Sequence, residues 1–266
     1  MKIRRYIRFT KLTKDNNLFI GSLSAENMGN SIKLGVKTFQ DKKFLQELEG
    51  RADFFEIMAI KGKDYSFLRE FSKPIVIHAE HQRFGVNYAD NAKCEKNLQS
   101  LEFALGVARE YNSQKVIVHA GRLENDGCSI AQAVSLIRSI NDERVLIENL
   151  PQNYFCSTPE DIRRFISLSG CSFCFDINHA IQTALSNNLE PYGFIERFIE
   201  LNPRHYHLGG QKMNSSCIGH KSFRDSEMDM EKIMKIIPDR AEITLEVTTD
   251  VENTKYDVDF VRRFTK

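Results

Sequence analysis

Short apolar runs rich in β-branched and aromatic residues recur along the chain, with amphipathic segments between them. The runs are IKLGVKT from Ile32, DFFEIMAI from Asp53, PIVIHAE from Pro74, KVIVHAG from Lys115, RVLIENL from Arg144, SFCFDIN from Ser172, RHYHLGG from Arg204 and EITLEV from Glu242. Several are nearly continuous in apolar residues, as parallel strands covered on both faces are. Between them, CEKNLQSLEFALGVARE sets Cys94, Leu98, Leu101, Leu105 and Ala108 on one helical face. STPED announces another helix, with Thr158 as cap, Pro159 in the first turn and acidic residues following. Eight strands, each followed by a helix, predict an α/β fold, a single-domain (β/α)8 TIM barrel. The competing doubly wound sheet would carry a Gly-rich phosphate loop after an early strand, and IGSLSAENMGNS after Phe19 does not fit that pattern. Residues 1–31 fall outside the repeat and are expected to form an N-terminal arm or hairpin capping a barrel over 32–266.

Composition narrows the function classes. The 37 Lys and Arg balance 36 Asp and Glu, so no general electrostatic drive toward nucleic acid or a membrane exists. Neither a long apolar run nor a secretory leader is visible, which predicts a soluble cytoplasmic protein. The six cysteines then read as reduced thiols. Cys171 and Cys174 form a C-x-x-C without a second pair, and their spacing on a strand turns them to opposite faces, against a structural zinc.

In such barrels the reactive groups sit at the carboxyl ends of the strands. Those ends carry Glu56, His78, His119, Glu148, Asp176, His207 and Glu246, and all seven histidines lie between His78 and His220. One polar residue leaving a core is unremarkable. Six consecutive strands delivering a His, Asp or Glu to one rim are different, because such groups would repel or stay unpaired without a cation. Glu148, Asp176, His207 and Glu246 make a mixed oxygen and nitrogen set suited to Mn, Zn, Mg or Co as a divalent ion.

The succession VIHAEHQRFGVNYA, IVHAG, LIENLP, FDINHA, HYHLGG and TLEV resembles the xylose isomerase-like TIM-barrel superfamily, over roughly Ile32 to Glu246. That group holds sugar and sugar-phosphate isomerases and epimerases, and the endonuclease IV type of abasic-site nuclease. The resemblance implies that Glu148, Asp176, His207 and Glu246 hold the common metal. It implies that His78 and His119, with Glu148 as a bridge, hold a second metal in the nuclease branch or contact substrate in the isomerases. His179 then matches a third-metal ligand or a substrate-facing histidine. The nuclease branch carries Asp-x-His after its seventh strand; here IGHKSF supplies His220 but puts Ile218 in place of the aspartate.

The leading expectation is a metal-dependent isomerase or epimerase acting on a small sugar or sugar phosphate, with Glu148 and Glu246 exchanging the proton next to a carbonyl. His179, His220, Lys212, Arg224 and Glu56 are the expected substrate-binding groups, Glu56 through hydrogen bonding rather than ligation. The first alternative is an endonuclease IV-like phosphodiesterase with a two-metal site. For it, the basic stretch Lys2, Arg4, Arg5, Arg8, Lys11 and Lys14 would meet nucleic acid. The second alternative is a diverged barrel that binds metal and ligand without catalysis. The resemblance also allows a homodimer through the outer helices.

Overall fold

The computed structural model describes residues 32–214 and 220–264. Eight parallel strands close into a barrel in chain order: β1 Lys33–Thr38, β2 Phe54–Ala59, β3 Ile75–Ala79, β4 Val116–His119, β5 Val145–Glu148, β6 Ser172–Asp176, β7 His205–Leu208 and β8 Glu242–Leu245. Each of the eight apolar runs is a strand. Outside them lie α1 Lys42–Leu48, α2 Cys94–Glu110, α3 Ile130–Ile140, α4 Pro159–Ser169, α5 Ile177–Ser186, α6 Pro191–Ile199, α7 Met230–Ile236 and α8 Val251–Arg262. The fold is a (β/α)8 barrel. The arm expected over residues 1–31, with its basic stretch, lies outside the described residues.

The strict strand–helix alternation is modified twice. Between β2 and β3 the chain makes only a short 3-10 turn, Ser66–Glu70, whereas β6 and β7 are separated by both α5 and α6. Thr158 caps α4 as expected, its hydroxyl accepting from the Asp161 amide at 3.2 Å with Pro159 in the first turn. The buried face of α2 is rotated from the expected one. Leu101, Leu105 and Ala108 are buried, but so are Asn97 and Ser100, while Cys94 and Leu98 are only partly covered. The cause is polar: Asn97 accepts from the Asn87 amide at 3.0 Å and donates to the Asn87 carbonyl at 2.7 Å, so it pins the loop after β3.

The two-residue period of a strand gives each one two inward positions. The deeper positions are Gly35, Phe54, Val76, Ile117, Leu146, Cys174, His205 and Thr244. The upper ones, two residues on, are Lys37, Glu56, His78, His119, Glu148, Asp176, His207 and Glu246. Phe54, Val76, Ile117, Leu146 and Cys174 form a small apolar cluster separate from the main core, which lies between strands and helices. Four of the eight pairings shift by two residues in the same sense: Glu56 lies opposite Val76, His78 opposite Ile117, Glu148 opposite Cys174 and His207 opposite Thr244. That is the eight-residue stagger of a closed eight-strand barrel. Elsewhere reactive residues stand directly side by side: Lys37 with Glu56, His119 with Glu148, and Asp176 with His207.

Gly35 is where this interior is tightest. A Cβ there would fall 2.1 Å from the Phe54 ring, which fills the space under the reactive level. Gly35→Val should therefore lower unfolding free energy by about 2–3 kcal/mol through overpacking. Urea denaturation checks this, and an unchanged midpoint would contradict the packing described.

Candidate metal centre

At the upper level the side chains converge. Among the described residues, four groups of potential ligands each offer atoms within 4.8 Å of one another: Glu148, Asp176, His207 and Glu246; His78, His119 and Glu148; Asp176, His179 and His220; and Glu56, His205 and His207. Glu148 at the end of β5 belongs to two of them. Its Oε2 lies 3.1 Å from His78 Nε2 and 3.0 Å from His119 Nε2. Its Oε1 lies 3.4 Å from His179 Nδ1 and 3.6 Å from His207 Nδ1.

The hydrogen bonds on the far sides of the rings fix what these nitrogens offer. His78 Nδ1 donates to the Ala79 carbonyl at 2.8 Å, a group that only accepts. In the neutral ring the lone pair is therefore on Nε2, aimed at a carboxylate oxygen. Burial, with Lys37 adding to it, lowers the His78 pKa and keeps the ring neutral. His119 Nδ1 lies 3.2 Å from the Gln82 amide oxygen. Two imidazole Nε2 atoms thus converge on one carboxylate oxygen. A cation at that point would take all three atoms as ligands.

Asp176 shows the same incompleteness. As N-cap of α5 its Oδ1 accepts from the His179 amide at 2.7 Å, and its own amide donates to Asn149 Oδ1 at 2.7 Å. Its Oδ2 is buried without a hydrogen-bond partner. Such an orphan costs on the order of 1–3 kcal/mol. His207 Nδ1 and Glu246 Oε2 approach to 2.9 Å, and Lys37 Nζ lies 3.0 Å from the same Glu246 oxygen, without well-aligned hydrogen bonds. Asp176 Oδ2, His207 Nδ1 and Glu246 Oε2, on β6, β7 and the residue after β8, suit a divalent ion.

His179 Nδ1 donates to the Asn149 carbonyl at 2.8 Å, and His220 Nδ1 to the Glu246 carbonyl at 3.0 Å, which leaves Nε2 of each ring as the basic nitrogen. His220 arrives with φ of 72°. Gly209 allows it: a Cβ there would lie 2.6 Å from the Glu246 carbonyl oxygen and 3.1 Å from His220 Cα. Ile218, which replaces the aspartate of the nuclease pattern, lies outside the described residues.

Two expected substrate-binding residues point elsewhere. Lys212 pairs with Glu227 at 3.1 Å, and the Arg224 guanidinium sits over the Tyr256 ring at 4.3 Å. Neither lines the cavity of about 700 Å³ above the cluster. Glu56 makes hydrogen bonds, accepting from Thr244 Oγ1 at 2.7 Å and His207 Nε2 at 3.0 Å. His205 lies beneath, with Nε2 2.8 Å from Thr244 Oγ1. His81 stacks on His119 with ring centroids 4.9 Å apart.

Lys37 was not among the expected residues. It lines the cavity, nearly buried, with Nζ 3.2 Å from Glu56 Oε1 and 3.0 Å from Glu246 Oε2. A polar residue at the carboxyl end of the first run was the available signal. Burial opposes its charge, but Glu246 and Glu56 outweigh that and raise its pKa. Burial likewise opposes ionisation of Glu148 and Glu246. His119 and His207 beside the first, and Lys37, His220 and His207 beside the second, hold both well below the usual carboxylate range. Asp176 goes the other way: burial, then the Glu148 charge, push it up to about 7.

A family model described as "Xylose isomerase-like TIM barrel" matches residues 52–264, and the chain belongs to that family. In structure it is similar to a D-tagatose 3-epimerase-like protein, at 17% identity and a TM-score of 0.67, over 88% of this chain and 97% of that one. It is also similar to endonuclease IV from Thermus thermophilus, at 17% identity and a TM-score of 0.68, over 87% and 98% of the two chains. The TTHB071 protein from the same organism, soaked with ZnCl2, matches at 17% identity and a TM-score of 0.64, over 88% and 97%. Among curated proteins no sequence matches the chain.

A cation taking the Asp176 oxygen competes with its proton. Apparent Mn²⁺ affinity should therefore rise with pH until about 7, where Asp176 ionises. In the metal-free protein this raised carboxyl contributes stability that is full below its unfolded value of 3.8 and is lost as pH rises through about 7. Calorimetric titration in two buffers of different ionisation enthalpy checks the proton release. An affinity unchanged between about pH 6 and 8 would contradict it.

Proposed function

We propose that this xylose isomerase-like barrel is a divalent-metal-dependent phosphoester hydrolase whose centre holds two cations bridged by Glu148. One observation carries the reading: His78 and His119 bring both Nε2 atoms to the same Glu148 oxygen, at 3.1 and 3.0 Å. A single cation on Glu148, Asp176, His207 and Glu246 leaves that arrangement unsatisfied. His78, His119 and Glu148 would hold one ion, and Glu148, Asp176, His207 and Glu246 the other. Bound there, the ions supply Lewis acidity toward a phosphoryl oxygen and acidify a water. The remaining chemistry belongs to the chain. Glu148 and Glu246 enter as carboxylates. His179 and His220, anchored through Nδ1, offer Nε2 to the substrate or to a further ion beside Asp176. Glu246 is the sole carboxylate lining the described cavity, against Lys37 and Arg83, a balance that favours an anionic substrate.

The second reading is the sugar or sugar-phosphate isomerase or epimerase. It rests on the four-residue group alone, which suffices for one cation between two candidate proton carriers, Glu148 and Glu246. Nucleic acid is a substrate class of the first reading; a small sugar phosphate is common to both.

Metal content and hydrolysis of bis(p-nitrophenyl) phosphate by the Mn²⁺- or Zn²⁺-loaded protein test this, beside a His78→Ala/His119→Ala variant. Two or more ions per chain are expected, with one lost in the variant and turnover down by about 100-fold or more. One ion, retained in the variant, together with aldose–ketose interconversion, would move the assignment to the isomerase.

A further inference from the structure

The interior beneath the centre is divided. From β2 through β6 the deeper inward positions are apolar: Phe54, Val76, Ile117, Leu146 and Cys174. From β7 and β8 they are His205 and Thr244, both fully buried. A polar column in a barrel core costs desolvation unless every member is satisfied, so its placement needs a reason. Its bonds converge on Glu56. Glu56 Oε2 accepts from Thr244 Oγ1 at 2.7 Å and from His207 Nε2 at 3.0 Å, and Thr244 is held by His205 Nε2 at 2.8 Å. The other oxygen, Oε1, seats Lys37 Nζ at 3.2 Å, and that ammonium reaches Glu246 Oε2 at 3.0 Å.

We infer that Glu56 is a positioning residue for two ligands at once, orienting His207 directly and Glu246 through Lys37. The inference rests on the metal-centre reading above. A hydrogen bond to Nε2 commits that nitrogen as the donor and leaves Nδ1 for the centre, where it stands 2.9 Å from Glu246 Oε2. Lys37 fixes the second ligand without ligating, since an ammonium has no lone pair to give. The His78 and His119 pair is outside this column, held from behind by Ala79 and Gln82. Glu56 therefore acts on one half of the centre and leaves the other alone.

Co²⁺ titration of the metal-free full chain, followed by its visible spectrum and by metal stoichiometry, tests this. Glu56→Gln removes the charge and the seat of Lys37. Glu56→Asp keeps the charge but withdraws the oxygens by about 1.5 Å. Both variants should weaken one Co²⁺ by about 10–100-fold, with a changed spectrum, while the other ion stays as in the wild type. Wild-type affinity in Glu56→Asp would mean that charge alone matters, and would overturn the positioning role. Equal weakening of both ions would overturn it as well. Should the Glu56 variants not fold, Thr244→Val removes one bond to Glu56 at nearly constant volume. It should weaken the same ion by about threefold, and an unaltered affinity would overturn the inference. A wild-type chain that takes up no Co²⁺ would sink the metal-centre reading itself; one that binds while the variants bind equally well would sink only this inference.

Discussion

Four carboxylates crowd the carboxyl end of one barrel interior, and each needs positive charge or a hydrogen bond beside it. Glu56, Glu148 and Asp176 are buried, and Glu246 lines the cavity beside them. Moving even one such charge out of water costs several kcal/mol unless it is paired. The protein supplies part of the compensation itself. Lys37 spans Glu56 and Glu246, and burial of His207, which opposes its protonation, is outweighed by Cys174, Glu56 and Glu148 around it. The compensation is incomplete at Asp176 Oδ2, which has no hydrogen-bond partner. That oxygen and the point where His78 and His119 meet Glu148 are where the proposed ions would sit.

The barrel separates the charged level from what keeps it rigid. The main core lies between strands and helices and would be intact without any of the reactive residues. The register places neighbours side by side on three strand pairs, so the donors are held by backbone pairing rather than by flexible loops. His179, in the first turn of α5, and His220 are the exceptions. His220 comes from the β7–β8 connection and depends on the close approach of Gly209 to Glu246.

Much of this was legible in the sequence for a simple reason. Parallel strands buried on both faces announce themselves as apolar runs, and a polar residue ending such a run has one place to go in a barrel. Seven of the eight upper-level residues could be read that way. Lys37 ends its run the same way but reads as solvent-facing, because a lysine beside a strand end ordinarily means solvent. It is buried by closure of the barrel, which brings β1 against both β2 and β8. Lys212 and Arg224 stand away from the cavity for the converse reason. Proximity in sequence to β7 does not say which way a loop turns, and local partners, Glu227 and Tyr256, took both side chains. The rotated face of α2 reflects Asn97, whose burial depends on a backbone loop that no hydrophobic pattern encodes. Between hydrolase and isomerase the sequence favoured the isomerase. The hydrolase proposal rests on His78 and His119 meeting at one Glu148 oxygen, and residue spacing does not show which atoms meet.

The most direct test of a bridged centre is anomalous diffraction from crystals of the full chain grown with Mn²⁺ or Zn²⁺. Two peaks sharing Glu148 are predicted, one among His78, His119 and Glu148 and the other among Glu148, Asp176, His207 and Glu246. A single peak at the second position, with His78 and His119 free of metal, would contradict the account.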